Sequence, residues 1–154
     1  MAMRFKVLIA AGIVLAGATA CSGATATEKA VAPPASVVAV VGSPVPAVHL
    51  SSEAASRLGL STAPARLADA TSPDGVRTAH RLVIPYSAVV YDRDGSSWTY
   101  AETGALTYLR KPITVDFITG DLAVLTKGPA VGTKVVTVGS PELLGVEYDI
   151  SGEE

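Results

Sequence analysis

Apolar positions along this chain fall into two patterns. A continuous apolar run, Val7 to Ala18, lies near the start behind a short basic segment with Arg4 and Lys6. After about residue 46 the chain instead shows short stretches in which apolar and polar residues alternate, the period of half-buried strands. Val48 and Leu50 flank His49 in that way. Ser51 or Ser52 then caps a short helix with its body at Glu53 to Leu58, and Gly59 closes it in the left-handed conformation. Leu60 to Leu67 reads as extended with an interruption at Pro64, and Ala70 to Thr78, containing Pro73-Asp74-Gly75, as a turn.

From Arg81 onward the pattern is β. "RLVIPYSAVVY" and "SSWTYAETG" are strands joined by a tight turn at Asp92-Arg93-Asp94-Gly95. Leu106, Tyr108, Ile113, Val115 and Phe117 follow at or near period two around Lys111-Pro112. Thr119-Gly120-Asp121 turns the chain into "LAVLT", and Lys127 to Gly132 turns it into "KVVTVG". The expected fold is mainly β, a small β-barrel or sandwich of short strands with one short helix and no long amphipathic helix.

The beginning of the chain predicts export. A basic segment, an apolar run and small residues before a cleavage point describe a secretory signal peptide over residues 1–20, shorter than the roughly 20 apolar residues of a membrane span. Cys21, the single cysteine, follows at once. Ala18-Thr19-Ala20 has the form of an ordinary signal-peptidase site, but small residues directly before a cysteine also resemble the lipobox of bacterial lipoproteins. That resemblance implies a thioether-linked diacylglycerol on Cys21 as the mature N-terminus. It departs from the usual lipobox at the third residue before the cysteine, where Ala18 replaces Leu. A lone thiol in an exported chain has no internal partner, and Ser22-Gly23-Ala24-Thr25 supplies no group to activate it. A lipid anchor is therefore expected, and an extracytoplasmic location on the cell membrane with it.

Residues 21–45 are Ala, Val, Thr, Ser and Pro-rich, with prolines at 33, 34 and 44 and no aromatic residue, which reads as a tether. Within it Val37 to Val41 is β-prone enough to add an edge strand. Residues 46–150 form one β domain, and 151–154 a tail. The chain of 154 residues leaves room for one domain after the signal peptide. A net charge of −2 and a pI near 5.7 argue against nucleic acid as a partner.

Candidate chemistry is sparse. Asp92 to Gly95 suggests a calcium loop only until the twelfth position is counted, which is Thr103 where a bidentate Glu is needed. His49 and His80 stand far apart without further ligands at metal-binding spacing. Met1 and Met3 leave with the signal peptide. Ser51, Ser52 and Glu53 are explained by helix capping. No nucleophile, base and orienting group assemble, so no enzyme and no cofactor are expected. Arg110-Lys111-Pro112 reads as a solvated strand break protecting an edge. Trp98, Tyr86, Tyr91 and Tyr100 gather around the hairpin, where packing is the default. Trp98, Tyr86 and Tyr100 are the docking candidates if they project from a sheet edge.

The order of motifs resembles the periplasmic adaptor subunits, or membrane-fusion proteins, of resistance-nodulation-division efflux pumps. The resemblance covers His49 to Leu144. It is most specific at Pro85-Tyr86-Ser87-Ala88-Val89, at the Asp-x-x-Gly-x-x-Trp hairpin ending at Trp98, and at Gly128-x-x-x-Gly132-x-x-Val135-Val136. It implies the β-barrel and membrane-proximal parts of an adaptor, docked on a transporter of that type and working as a homo-oligomeric ring. Full adaptors also insert a lipoyl-like domain and a long helical hairpin, where this chain has only the turn between Ala70 and His80. The function expected is a lipid-anchored extracytoplasmic adaptor-like protein that docks on a membrane efflux transporter and supports its assembly or gating. The alternative is a small-solute- or cell-wall-binding lipoprotein. An apolar pocket with convergent polar groups favours the latter, an exposed apolar patch rimmed by charge the former.

Overall fold

A computed structural model describes residues 33–151; the expected signal peptide, Cys21 and the tether up to residue 32 lie outside the described residues. The first strand, β1 (Ala35–Val38), pairs antiparallel with β2 (Ala47–Leu50), Ala35 opposite Leu50. The edge strand expected at Val37 to Val41, inside the segment read as a tether, thus forms slightly earlier. Pairing in this register directs Ala35 and Val37 onto a core cluster, whereas Val41 is fully exposed.

Helix α1 (Ser52–Leu58) forms as its caps require. Ser51 Oγ accepts a hydrogen bond from the Ala54 N–H at 3.1 Å, and Gly59, at φ 61°, turns its own N–H back to the Ser56 carbonyl. Then β3 (Ser61–Pro64) and β4 (Arg66–Thr71) follow with only Ala65 between them, and β5 (Arg77–Pro85) returns along β4. The turn expected over Ala70 to Thr78 is shorter, because Thr71 already pairs with Arg77. A single 3-10 turn at Tyr86–Ala88 leads to β6 (Val90–Tyr91) and β7 (Ser97–Gly104). The remaining strands are β8 (Thr107–Pro112), β9 (Thr114–Thr119), β10 (Leu122–Lys127) and β11 (Lys134–Val138).

The chain is mainly β. The first sheet runs β1-β2-β8-β7-β11-β3, with β6 added on β7; the second runs β4-β5-β10-β9, and all pairings are antiparallel. The architecture is a small sandwich. Two helices are present among the described residues, not one, because α2 (Ser140–Ser151) ends the described segment and packs over β1, β2 and β7. Pro141 in the first turn and Glu142 behind it suit a helix start.

Each sheet face has its own cluster. Directly opposed residues share a face, so Val37, Val48 and Tyr108 lie together, and α1 and α2 cover them with Ala55 and Leu143. The other face of the first sheet meets the second sheet through Val135, Ile84, Ala123 and Leu125. Ala65 and Ile113 sit in that same interface, each the single residue at which the backbone passes from one sheet to the other. Ala65 donates to the Thr133 carbonyl and Ile113 to the Ser97 carbonyl, so neither crossing leaves its N–H unpaired.

Gly128 marks a close approach in this interface. A Cβ there would lie 2.6 Å from Leu125 Cδ1 and 3.2 Å from Leu82 Cδ2, and Leu125 is buried. Gly128→Ala should cost about 1–3 kcal/mol by overpacking. Urea unfolding of the variant against wild type checks this, and an unchanged midpoint would show that the loop yields freely.

Candidate functional site

The chemistry of the described residues concentrates where β7, β8 and α2 meet. Tyr100 and Arg110 are cross-strand neighbours on the face that α2 covers. Glu147 descends from α2 between them. Its Oε1 lies 2.9 Å from Arg110 Nη2, and its Oε2 accepts from the Tyr100 hydroxyl at 2.5 Å. Arg110 Nη1 donates to the Tyr148 hydroxyl at 3.2 Å, and its guanidinium lies 4.5 Å from the centre of the Trp98 ring. The charged side chains are only 6% and 1% exposed, so each depends on the other to stay ionised out of water. Burial, and next the bond to the Glu147 carboxylate, push the Tyr100 phenol far above its ordinary range, which keeps it a donor.

Two expectations are overturned here. Arg110 is not part of a solvated strand break but the centre of a buried network; only Lys111 and Pro112 are exposed. Tyr100 is not a docking residue, because it is fully buried and its hydroxyl is committed to Glu147. In both cases the missing partner is on α2, far along the chain and in the helix the alternation pattern did not reveal.

Trp98 links this network to the hairpin turn. Its Nε1 donates to Asp92 Oδ2 at 2.8 Å, while Asp92 Oδ1 accepts from the N–H groups of Asp94 and Ser96. Desolvation alone would raise Asp92, but the bonds from Trp98, Ser96 and Asp94, with the Arg110 charge, outweigh it and hold the carboxyl below the usual range. Asp92 to Gly95 is thus a hairpin turn whose carboxylate serves the backbone and the indole.

The exposed aromatics lie elsewhere. Val90 pairs opposite Trp98 and Tyr91 opposite Ser97, so Tyr91 faces away from the tryptophan. Tyr86 and Tyr91 are 42% and 49% exposed, and burial, with the neighbouring Tyr86 phenol, pushes the Tyr91 phenol above its ordinary range. Tyr86 opens the 3-10 turn and Tyr91 follows it in β6; the turn's backbone is tied down by Tyr86 N–H to the Asp121 carbonyl and Val89 N–H to the Tyr86 carbonyl. Of the docking candidates, Tyr86 is exposed, Trp98 is half-buried under Arg110, and Tyr100 is inside. Tyr91, which was grouped with them but not singled out, is the residue the structure sets beside Tyr86.

His49 Nδ1 lies 3.0 Å from Thr107 Oγ1 at the surface, and His80 occupies a bulge between β4 and β5 at φ 55°. Among the described residues no three His, Cys, Asp or Glu side chains converge to hold a metal, and no helix is long and apolar enough to cross a membrane. A groove of about 510 Å³ opens beside α1, between Pro34, Ala35, Leu50, Ala54, Leu58 and Val146, with Ser51, Glu53 and Arg57 also on its lining. A smaller cleft of about 230 Å³ lies between Ser43-Pro44-Val45 and Trp98-Arg110-Lys111.

No protein-family model, curated protein or solved structure matches the chain.

The buried pair makes a stability prediction. Glu147→Ala strands the Arg110 charge and should cost about 3–5 kcal/mol. Arg110→Met combined with Glu147→Leu should recover part of this but remain about 1–3 kcal/mol below wild type, because Tyr100 keeps a buried hydroxyl without an acceptor. Denaturant titration of the single and double variants separates the terms, and a single-variant loss under about 1 kcal/mol would contradict a buried pair.

Proposed function

We propose that this chain is an extracytoplasmic adaptor-like protein, held at the cell membrane by a lipid on Cys21, that docks on a membrane efflux transporter of the resistance-nodulation-division type and supports its assembly or gating. The observation that carries the reading is the Tyr86–Tyr91 corner. Two tyrosines stand exposed beside each other at a turn whose backbone is braced by hydrogen bonds. Rigid amphipathic rings of this kind contribute heavily to binding interfaces. Tyr86 also lies in Pro85-Tyr86-Ser87-Ala88-Val89, among the most specific parts of the adaptor resemblance.

Anchoring supports the same reading physically. A tethered domain meets membrane partners at high effective concentration, so a small docking surface is enough. Association into rings follows from the resemblance and belongs to the same proposal. The alternative, a small-solute- or cell-wall-binding lipoprotein, is favoured by one observation, the apolar groove beside α1.

Cross-linking in intact membranes, followed by purification of the tagged chain and mass spectrometry of its N-terminus and partners, tests the proposal. The expected result is diacylated Cys21 and an efflux-type transporter. Tyr86→Ala with Tyr91→Ala should reduce transporter recovery tenfold or more, about 1.4 kcal/mol or greater, with the melting temperature nearly unchanged. A chain recovered alone, or a double variant that still captures the transporter as wild type does, rejects the docking role.

A further inference from the structure

The outermost strand of a sheet carries a row of unpaired N–H and C=O groups, a template for a further strand, and folded proteins guard such edges with prolines, charges, bulges or shortness. Among the described residues the outermost strands are β1, β3, β4 and β9, and three of these four are guarded. β3 is short and ends in Pro64. β9 bulges at Asp116, since Val115 and Phe117 stand opposite the consecutive residues Leu125 and Val124. β4 carries charge at Arg66 and Asp69 and pairs with β5 across the bulge at His80. β1 has none of these devices. Its register with β2 is unbroken, no charged residue or proline occurs from Ala35 to Val41, and Val38 is 52% exposed.

The pairing pattern identifies the free groups. The Ser51 N–H donates to the Pro34 carbonyl, so Pro34, Ser36 and Val38 bond towards β2, while Ala35 and Val37 turn their N–H and C=O outward. We propose that this edge pairs antiparallel with the same edge of a second copy of the chain, about a two-fold axis at Ser36. Ala35 of each copy then exchanges both backbone bonds with Val37 of the other, Ala39 donates across to Pro33, and Ser36 faces Ser36 as a non-bonded pair. Centring the axis on Val38 instead would draw in Val40, whose carbonyl is held by the Ser43 N–H in the next turn. A second copy suits the edge because the two-fold brings outward donors onto outward acceptors, and with no charge along the strand no like charges oppose. The pairing does not use the Tyr86–Tyr91 corner, so it stands whether or not that corner docks on a transporter. A two-fold contact closes at two copies, so assembly into rings would need a further surface.

The test is disulfide trapping in intact cells that express the full chain with Ser36→Cys and are oxidised with copper–phenanthroline. Mass spectrometry of the joined peptides tells a link at position 36 from one through Cys21. Across the axis the two positions form a non-bonded pair, with Cα atoms about 4.5 Å apart, a spacing that a disulfide spans. The expected result is a dimer joined at position 36, about tenfold or more above the dimer formed by Ser96→Cys on the exposed hairpin turn. Adding Ala35→Pro removes one outward N–H from each copy, spares the bonds to β2, and should lower the yield about tenfold. Thermal unfolding checks that this variant still folds; if it does not, Ala39→Pro removes the bond to Pro33 from an exposed position beyond the strand and should lower the yield in the same direction. A yield no greater than that of Ser96→Cys overturns the proposal, as does a yield that the proline substitution leaves unchanged. A position 36 joined to a different protein would assign the edge to that protein's strand and overturn it equally.

Discussion

Arg110 and Glu147 carry opposite charges out of water where α2 meets the first sheet, and the cost of burying either one alone fixes where that helix lies. The position of α2 then determines much else. It covers the cluster around Val48, Tyr108 and Leu143, supplies Val146 to one wall of the groove, and brings Tyr148 against the guanidinium. From the other side Trp98 stacks on Arg110 and reaches Asp92, so the same network also braces the hairpin turn. A polar interaction thus organises a fold whose bulk stabilisation comes from apolar burial.

The two surfaces with functional potential owe their shapes to different parts of this scaffold. The Tyr86–Tyr91 corner is rigid because backbone bonds on either side of the 3-10 turn hold it, and because its strand is anchored on β7. The groove instead lies between elements that approach from opposite ends of the described chain, β1 at one end and α2 at the other. One surface presents two exposed phenol rings, the other an apolar groove whose rim charges, Glu53 and Arg57, pair with each other.

What was legible in the sequence was local. Helix α1 was readable because Ser51, Gly59 and the residues between them act within a few positions of one another. The β10 strand and the turn at Gly120 were readable for the same reason. Helix α2 was not, because Gly145 weakens its propensity and Glu147 takes the place, one turn after Leu143, where an apolar stripe would continue. Missing the helix hid the partner of Arg110 and Tyr100, so a buried cation read as solvated and a buried phenol as a docking group. Long-range pairing of polar residues leaves no periodic signal. The separation of Tyr91 from Trp98 needed the strand register, which alternation alone did not settle at so short a strand as β6.

Ala65 and Ile113 have a mechanical consequence. At each, a continuous backbone serves both sheets, and both residues are buried between them. The layers therefore cannot slide or swing apart as plates about a linker, since any such displacement would stretch two covalent paths and break the hydrogen bonds to Thr133 and Ser97. A pull on one surface is passed to the other as rigid-body motion of the whole sandwich. Loosening either sheet should loosen both, so the layers unravel together as one cooperative unit rather than in stages.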